Sequence, residues 1–341
     1  MKVGIAMSGG VDSTACALLL REKYEVEGFF MRLAQPAYDD QKKGVEELAS
    51  ALGINLHIID LHHQFSQKVL DYFTATYFRG HTPNPCVICN REIKFGLFLE
   101  TILDHGMDRM ATGHYARIEC NENRCRLFAG DDCEKDQSYF LSRLDQRQLN
   151  SILFPLGSMT KESIYRYVEQ QGFHGFRGKE SQDVCFLENN RITDFLESRN
   201  PAQTGSGPIV TGSGEELGVH RGLHCYTIGQ RRGLGISSDS PLYVIRLDTA
   251  TNSVVVGKND ELFKTSVTVK EVHWLAGSAP SANKKYKVRI RYSHRGSLAQ
   301  LSLLDNNRAR FVFDQQQRAV TPGQFAVVYD GSELLGSGII E

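Results

Sequence analysis

The stretch AMSGGVDST, residues Ala6–Thr14, carries the strongest structural signal in the amino-terminal half of the chain. It follows an apolar run, residues 3–6, that predicts a short buried strand, and it precedes residues 15–20, whose apolar pattern predicts a helix. A glycine-rich turn between a strand and a helix can present backbone N–H groups to an anion. Two adjacent glycines allow a sharp turn and a close approach of the ligand. The stretch therefore predicts a phosphate-binding loop, with its serine and threonine hydroxyls as further donors.

Two common phosphate-binding loops do not fit this stretch. No lysine precedes Ser13, which excludes the G-x-x-x-x-G-K-[ST] loop, and the glycine spacing excludes the G-x-G-x-x-G dinucleotide fingerprint. A tight turn capped by Asp12 or Ser13 is the alternative that needs no ligand. Asp12 thus has two predicted roles, as a cap of the first helix or as a ligand of Mg²⁺ near phosphates.

Length and composition limit the class of protein. A chain of 341 residues predicts two or three domains. With 39 Lys and Arg against 40 Asp and Glu, any RNA contact must come from local basic patches. No apolar run is long enough to span a bilayer and the chain starts with a strand, so we expect a soluble cytoplasmic protein without a membrane partner. The eight cysteines are then expected to be reduced, catalytic or metal-binding.

Strand and helix patterns alternate up to about residue 115, which predicts an α/β fold with a parallel sheet. Ligands of such sheets bind beyond the carboxyl ends of the strands. The predicted strands are Lys2–Ala6, Val26–Met31, Leu56–Leu61 and Asp108–Thr112, and the predicted helices are Ser13–Lys23, Gln41–Leu52, Phe65–Tyr77 and Glu92–His105.

The pattern of predicted elements changes after about residue 115. A hairpin is predicted over residues 115–130, and a linker rich in small residues over 201–208. We therefore predict a catalytic domain over residues 1–200, a small Gly-rich module over 201–264 and a carboxy-terminal β-barrel over 265–341. Further helices are predicted at Gln146–Leu153, Lys161–Gln171 and Ile192–Ser198.

A C-x-x-C pair, Cys86 and Cys89, follows two prolines and precedes a predicted helix. The partial positive charge of a helix amino terminus favours the thiolate, and Arg91 and Lys94 act in the same direction. Such a pair can chelate a metal, form a disulfide or attack an electrophile.

The other cysteines carry weaker signals. Cys185 follows a polar segment, residues 179–183, that predicts an accessible turn. Cys16 lies on the apolar run of the first helix and is predicted in the core. Cys120 and Cys125 could pair across the hairpin turn, although we expect unpaired thiols there. No role is predicted for Cys133 and Cys225.

Eight motifs in order resemble one family, the bacterial tRNA-specific 2-thiouridylases of the PP-loop ATP pyrophosphatase superfamily. The resemblance covers essentially the whole chain. The motifs lie at Ser8–Ser13, Asn84–Asn90, Ala111–Tyr115, Lys135–Tyr139, Ser181–Phe186, Tyr226–Gly235, Arg291–Tyr292 and Thr321–Gln324.

The resemblance implies an ATP-dependent thiolation of tRNA. ATP adenylates the C2 oxygen of the wobble uridine, position 34, a sulfur nucleophile attacks C2, and AMP and pyrophosphate are released. Cys185 would carry the incoming sulfur as a persulfide, and Cys89 would be the second catalytic thiol that releases it by forming a disulfide. The implied partners are the tRNA anticodon stem-loop and a sulfur donor, either a cysteine desulfurase or a sulfur-relay protein.

The resemblance also implies binding residues. ATP with Mg²⁺ would contact Ala6, Met7, Ser8, Gly9, Gly10, Val11, Asp12, Ser13, Met31 and Gly113. The target base would contact Asn84, Pro85 and Cys86, and the rest of the tRNA would contact His114, Lys135, Asp136, Gln137, Arg291, Tyr292 and Gln324.

Cys86 departs from the family pattern, because many members carry aspartate at this position. Cys86, Cys89 and Cys185 could ligate three irons of a [4Fe–4S] cluster and leave the fourth iron to bind a sulfide nucleophile. This cluster route rivals the persulfide route. A Zn²⁺ site with an outside fourth ligand is a weaker alternative.

The stretch of residues 284–295 contains six Lys or Arg and no acidic residue. As a strand it would place Lys287, Arg289 and Arg291 on one face, which suits a phosphate backbone. A merely solvated basic strand is the alternative.

Two other functions compete with tRNA thiolation. A PP-loop enzyme that adenylates a carboxylate or amide, such as a nitrogen-transfer synthetase, would not need Cys89 and Cys185. A non-catalytic RNA-binding protein could use the nucleotide and cysteine sites to sense ATP or redox state.

Overall fold

The amino-terminal half folds around a five-stranded parallel sheet of order β3-β2-β1-β4-β7, which confirms the α/β prediction. This computed structural model describes residues 1–178, 184–187, 191–201 and 205–341. The first seven strands are β1 (Lys2–Ala6), β2 (Glu25–Arg32), β3 (Leu56–Asp60), β4 (Arg109–Ala111), β5 (Ala116–Cys120), β6 (Cys125–Ala129) and β7 (Ile152–Leu153), of which β5 and β6 form a hairpin outside this sheet.

Helices flank the sheet and differ from the prediction mainly in where they begin. A π-helical segment, Ser66–Leu70, joins α3 to α4, and a second, Asn90–Phe98, joins α5 to α6. None of the described helices is both long and apolar enough to cross a bilayer. The helices are α1 (Val11–Arg21), α2 (Tyr38–Leu52), α3 (His62–Phe65), α4 (Asp71–Phe78), α5 (Pro85–Cys89), α6 (Leu99–Asp104), α7 (Gln146–Asn150), α8 (Lys161–Gln170) and α9 (Ile192–Arg199).

Strand β7 was not predicted. Residues 152 and 153 were assigned to the end of a helix, but α7 ends at Asn150. Ile152 and Leu153 then pair in parallel with Met110 and Ala111 of β4. A two-residue strand has no alternation to detect, so only the tertiary pairing reveals it.

Each face of the parallel sheet buries its own apolar cluster. One cluster includes Phe29, Phe95 and Phe98, and the other includes Ile5 and Leu18, all with 0–1% of their surface exposed. Each such side chain contributes roughly 1.5–3 kcal/mol by burial. The sheet is therefore a rigid support for the loops at the carboxyl ends of its strands.

The carboxy-terminal strands close into a six-stranded barrel, which confirms the predicted β-barrel. Its strand order is β12-β15-β14-β13-β16-β17, and the pairing of β12 with β17 closes it. The β5–β6 hairpin extends this sheet, because Leu127 pairs with Leu334. The barrel strands are β12 (Phe263–Trp274), β13 (Lys285–Arg289), β14 (Ser297–Leu304), β15 (Arg308–Arg318), β16 (Phe325–Asp330) and β17 (Glu333–Ile340).

A small four-stranded sheet of order β10-β11-β8-β9 lies between the two larger units in the chain. Gly207 and Pro208, predicted as the end of a linker, instead begin β8. Residues 202–204 of that linker lie outside the described residues. The strands are β8 (Gly207–Thr211), β9 (Glu216–His220), β10 (Tyr243–Asp248) and β11 (Ser253–Gly257).

Cys120 and Cys125 form a disulfide across the hairpin, so the expectation of unpaired thiols there was wrong. The register of β5 and β6 places the two residues directly opposite each other. Cys16 is fully buried in α1, as predicted.

Candidate active site

The glycine loop between β1 and α1 leaves the helix amino terminus uncapped. Gly9 adopts φ = +79°, a left-handed conformation that favours glycine. Gly10 is the N-cap residue and no side chain caps the helix, so the capping roles predicted for Asp12 and Ser13 were wrong. The N–H groups of a first helical turn have no intrahelical partner and lie at the positive end of the helix dipole. The loop therefore offers backbone donors to an anion.

The hydroxyl groups of the loop mainly brace it. Ser13 Oγ donates to the carbonyl of Gly10 at 3.0 Å and accepts from Ser8 N at 3.2 Å, and Thr14 Oγ1 also donates to Gly10 at 3.0 Å. Ser13 and Thr14 are buried, whereas Ser8 is exposed. Of these predicted hydroxyl donors, only Ser8 faces solvent; Ser13 and Thr14 fix the shape of the loop.

Asp12 is held by two side chains that the sequence analysis missed. Lys161 Nζ lies 2.9 Å from each of its carboxylate oxygens, and Tyr115 Oη donates to it at 2.8 Å. Lys161 is the first residue of α8 and its side chain is 11% exposed. A cation at a helix amino terminus opposes the helix dipole, which is the sequence signal that could have marked Lys161.

Gly113 brings the end of β4 against the loop. A Cβ atom at this position would lie 2.6 Å from Asp12 Cβ, so a larger residue would displace the loop. Met31, at the end of β2, is partly buried and packs at the edge of one apolar cluster. Both residues therefore lie at the carboxyl edge of the sheet, where the nucleotide was expected. Of the other residues expected to contact the nucleotide, Ala6 is half-buried, and Met7 and Val11 are buried.

The C-x-x-C pair lies within helix α5. The prediction that it precedes a helix was therefore wrong. Asn84 caps the helix by accepting from Val87 N at 3.3 Å, and Pro85 occupies its first turn. Cys86 and Cys89 therefore occupy the first and last turns of one short helix. The chain continues directly into the π-helical segment that carries Lys94.

Burial controls the ionisation of these thiols, so the predicted preference for thiolate was wrong. Burial raises the pKa of Cys86 to about 11 and raises the pKa of Cys89 further. Lys94 lowers both pKa values, as predicted, but does not offset burial. Arg91 instead pairs with Glu92 at 3.3 Å and is exposed.

Cys185 joins this pair from a distant part of the sequence. Burial raises its pKa, Lys94 lowers it, and a charge on Cys185 raises the pKa of both Cys86 and Cys89. Cys185 is nevertheless exposed, while the turn predicted at residues 179–183 lies outside the described residues. A thiol that lines a depression has both properties, since solvent reaches it while protein atoms surround it.

The turn that carries Cys185 is anchored by its neighbour. Phe186 is 5% exposed, and its ring lies 5.2 Å from that of Phe73 and 5.1 Å from that of Phe195. Residues 181–183 of the same motif lie outside the described residues. Phe186 therefore fixes the position of the exposed thiol on the helices beneath it.

The three thiols do not form a compact mononuclear metal site. In the described part of the chain their sulfur atoms do not all come within 4.8 Å of one another. Tetrahedral zinc with Zn–S bonds of ~2.3 Å needs sulfur atoms about 3.8 Å apart. An iron–sulfur cluster holds its thiolates further apart, because iron and sulfide lie between them.

His114 is a buried residue next to Gly113 in the chain. It follows Gly113, its Nδ1 lies 2.7 Å from Thr112 Oγ1, and its ring packs against those of Phe95 and Phe154. Burial, and then Lys94, hold its pKa well below the usual range. His114 is therefore neutral near pH 7 and offers hydrogen bonds without a positive charge.

The Lys135–Gln137 segment is tied into the protein. Asp136 accepts from Gly130 N and Ser138 N, and it pairs with Arg289 of β13 at 2.7 Å; the two side chains are 7% and 14% exposed. Gln137 Oε1 accepts from Tyr115 N at 3.1 Å. Asp136 and Gln137 therefore position their segment, while Lys135 is partly exposed.

The basic strand is shorter than predicted. Strand β13 ends at Arg289, whose side chain turns inward to Asp136, so only Lys287 of the predicted three cations is exposed on this strand. Arg291 lies in the following turn and donates to the carbonyl of Arg318 at 3.2 Å. Tyr292 is 37% exposed and packs on Phe140 with ring centroids 4.4 Å apart.

Gln324 joins the barrel to the loop before α5. Its Nε2 donates to the carbonyls of Thr82 and Pro83 at 3.1 and 3.0 Å. Thr82 N in turn donates to the carbonyl of Pro322 at 2.9 Å. The barrel therefore fixes the loop that leads to Asn84.

Comparison with known proteins assigns the family. Residues 1–189 match a family described as the tRNA methyl transferase HUP domain, residues 193–258 match the tRNA methyl transferase PRC-barrel domain, and residues 264–340 match the aminomethyltransferase beta-barrel domain. The tRNA-specific 2-thiouridylase MnmA of Desulfotalea psychrophila is 53% identical over 99% of this chain and 98% of its own length. The chain belongs to the tRNA-specific 2-thiouridylase family.

Two further 2-thiouridylases named MnmA match over nearly their full lengths. The protein of Syntrophomonas wolfei is 44% identical over 100% of both chains. That of Syntrophotalea carbinolica is 42% identical over 98% of this chain and 97% of its own. The domain descriptions speak of methyl and aminomethyl transfer, whereas these relatives are named for thiolation.

Proposed function

We propose that this chain is an ATP-dependent tRNA-uridine 2-sulfurtransferase that acts on the wobble uridine, position 34. One structural relationship carries the proposal. Gly113 touches Asp12 of the glycine loop, and the charge of Lys94 acts both on the adjacent His114 and on Cys86, Cys89 and Cys185. A nucleotide on the loop and a base beside the thiols would therefore lie next to each other.

The glycine loop would hold the phosphates of ATP. Backbone N–H groups of residues 9–11 and the dipole of α1 would receive the leaving pyrophosphate. Both oxygens of Asp12 accept from Lys161, so Asp12 does not fit a resident Mg²⁺ ion. We assign Mg²⁺ to the incoming ATP as its counter-ion, and Lys161 as the fixed cation of the loop.

The sulfur step follows from the unequal exposure of the two catalytic thiols. The exposed Cys185 would accept sulfur from a cysteine desulfurase or a relay protein and carry it as a persulfide. The terminal sulfur would attack C2 of the adenylated uridine, forming the C–S bond as the C–O bond to AMP breaks. Cys89 would then attack the Cys185 sulfur, releasing 2-thiouridine and leaving a Cys89–Cys185 disulfide. A thiol reductant would regenerate both groups, consuming two electrons for each turnover.

A second route is favoured by Cys86. It is a free, partly buried thiol whose charge interacts with those of Cys89 and Cys185, so three thiolates fit a [4Fe–4S] cluster. When bound, such a cluster would supply an open iron that holds sulfide. In that route the chain would contribute all three thiols as ligands.

The tRNA would lie across the junction of the catalytic domain and the barrel. Four exposed or partly exposed side chains could contact the anticodon stem-loop, namely Lys135, Lys287, Arg291 and Tyr292. Asn84, Pro85 and Cys86 would face the flipped base, since anticodon bases leave their stack at low cost. We assign Asp136, Gln137 and Gln324 as positioning residues, because their side chains contact the protein itself.

The proposal is tested by following product and pyrophosphate together. Unmodified tRNA, ATP, Mg²⁺ and a persulfide donor should yield 2-thiouridine by mass spectrometry, with pyrophosphate release that depends on tRNA. Cys89→Ser should abolish product but keep pyrophosphate release, and Cys133→Ser, at an exposed free cysteine, should change neither. Absence of 2-thiouridine with the parent chain, together with pyrophosphate release that needs a carboxylate or amide substrate and survives both Cys89→Ser and Cys185→Ser, would favour a synthetase of the nitrogen-transfer type. Slow pyrophosphate release without tRNA stimulation would favour an RNA-binding sensor.

A further inference from the structure

Three side chains of different chemistry converge in the middle module, away from the thiols described above. Glu197 comes from α9, and His224 and Cys225 come from a short 3₁₀ turn, Leu223–Cys225. One ligand atom from each lies within 4.8 Å of the other two. Among the described residues, no other set of three or more His, Cys, Asp or Glu side chains meets this criterion.

The imidazole of His224 lacks good hydrogen bonds in its buried position. Its side chain is 0% exposed, and its ring lies 5.2 Å from that of Phe78 at the end of α4. Nδ1 has no hydrogen-bond partner, and Nε2 lies 3.4 Å from Glu197 Oε1. Hydrogen bonds of this type span about 2.7–3.2 Å, so the contact is long for one. An ion between Nε2 and Glu197 would satisfy this nitrogen in place of the long contact, and it would leave Nδ1 without a partner.

We propose that Glu197, His224 and Cys225 bind one Zn²⁺ ion that fixes the middle module beside α4. Thiolate, imidazole and carboxylate are the three zinc ligand types in proteins, and three protein ligands plus water complete a tetrahedron. One thiolate and one carboxylate neutralise the charge of the ion. Soft sulfur also selects zinc over Mg²⁺ and Ca²⁺, which prefer oxygen.

The geometry suits such an ion. Zn–N and Zn–O bonds of about 2.0–2.1 Å give a tetrahedral edge of about 3.3 Å, close to the 3.4 Å between His224 Nε2 and Glu197 Oε1. Thr193 lies close enough to Cys225 to lower the pKa of its thiol, which would turn from Thr193 toward the ion. A cavity of about 420 Å³ opens beside His224 and Cys225, and its lining also includes Asp194 and the cations Arg191 and Arg221.

The site would act on the structure of the module. Helix α9 already docks on α4 through the Arg199–Asp71 pair and the packing of Phe195 on Phe73. A metal at Glu197 would tie this helix to the 3₁₀ turn and so to the small four-stranded sheet. The inference does not depend on the sulfurtransferase proposal, because none of the three residues belongs to the thiol site.

The test uses the full-length chain with Cys86, Cys89 and Cys185 replaced by serine, so that the other thiols near Lys94 cannot bind metal. We expect this chain to retain one Zn²⁺ after dialysis, by elemental analysis. Co²⁺ in place of Zn²⁺ should give a thiolate-to-metal absorption band and the visible bands of tetrahedral cobalt. Zn²⁺ should also raise the melting temperature of the chain.

In the chain that already lacks Cys86, Cys89 and Cys185, the further change Cys225→Ser should remove the cobalt charge-transfer band. It should also weaken Zn²⁺ binding at least tenfold, roughly the effect of losing a metal-site partner. Glu197→Gln is the second variant, because this side chain is 45% exposed and its change should leave the fold intact. Cys133→Ser should keep both signals. Absence of stoichiometric zinc in the folded chain would overturn the proposal. So would zinc binding by both Cys225→Ser and Glu197→Gln that is as tight as in the chain without these changes.

Discussion

Lys161 Nζ lies 2.9 Å from both carboxylate oxygens of Asp12, so a side chain of α8 fixes a side chain of the glycine loop. The Lys161 side chain is 11% exposed and that of Asp12 is 32% exposed. The pair therefore keeps a positive charge in a partly desolvated position next to the uncapped amino terminus of α1. In the proposed reaction, such a fixed charge would stabilise the negative charge that develops on the leaving pyrophosphate.

Lys161→Met should impair the use of ATP more than it impairs folding. We expect tRNA-dependent pyrophosphate release to fall on the order of 10²-fold, the effect of removing one electrostatic contact in a site. The free energy of unfolding should fall by about 1 kcal/mol or less, because Asp12 remains partly exposed to solvent. Lys43→Met, at an exposed lysine of α2, is the matched control. Equal pyrophosphate release by both variants would remove Lys161 from the site.

Gly113→Ala should disturb the loop through a steric contact. The new Cβ would lie 2.6 Å from Asp12 Cβ, and overpacking of this kind costs about 1–3 kcal/mol. Urea unfolding and pyrophosphate release should both reveal the loss. Gly44→Ala is the control, because a Cβ in that part of α2 meets nothing within 4 Å and should stabilise the helix by about 1 kcal/mol. A Gly113→Ala chain as stable and active as the parent would contradict the packing argument.

Lys94→Met should make Cys185 less reactive near neutral pH. Lys94 lowers the pKa of this thiol, so its loss raises that pKa and reduces the thiolate fraction. Alkylation of Cys185 by iodoacetamide, followed by mass spectrometry across pH, should shift to higher pH. Lys94→Arg keeps the charge and should retain most of the reactivity. Identical pH profiles for the parent and Lys94→Met would show that Lys94 does not act on Cys185.

Arg291→Ala should weaken tRNA binding and change its response to salt. Loss of one phosphate contact reduces the slope of log K against log salt by about 1. Arg308→Ala is the control on the same barrel, because Arg308 pairs with Glu341 at 2.7 Å at the opposite end of the β14–β15 hairpin. Binding isotherms at several salt concentrations measure both effects. Unchanged affinity and slope would exclude the turn after β13 from the tRNA interface.

His294 should make the barrel sensitive to acid. Burial, and then the charges of Arg291, Arg289 and Lys287, lower its pKa from 6.5 to about 4. The folded chain therefore favours the neutral ring, and this contribution to stability is present above pH 6.5 and lost as pH falls through about 4. His294→Gln should flatten the fall in urea midpoint between pH 7 and pH 4, whereas His63→Gln, at an exposed histidine, should not. Parallel pH curves for the parent and His294→Gln would contradict this sign.

The sequence was sufficient for the architecture because the fold repeats simple patterns. Apolar runs marked β1 to β4, and glycine turns with alternating residues marked the barrel. The family assignment came from the ordered motifs and is confirmed by relatives up to 53% identical. Strand β7 was not predicted, because two residues are too few to show the alternation of apolar and polar residues that marks a strand.

The site was harder to predict, because its energetics depend on residues far apart in the chain. Local charge around Cys86 and Cys89 favoured thiolates, but the packing of the fold buries both and raises their pKa values. Arg289 fitted the exposed face of a basic strand, yet it meets Asp136 from another domain. Lys161 gave only the weak signal of a cation at the start of a helix.

Metal-free protein should thiolate unmodified tRNA under anaerobic conditions when ATP, Mg²⁺ and a persulfide donor are supplied. The parent chain and Cys86→Asp, which introduces the carboxylate that the family resemblance implies at this position, should both make 2-thiouridine. Cys185→Ser should make none. If product appears only after iron reconstitution and is lost in Cys86→Asp, Cys185 is a cluster ligand and the persulfide account is wrong.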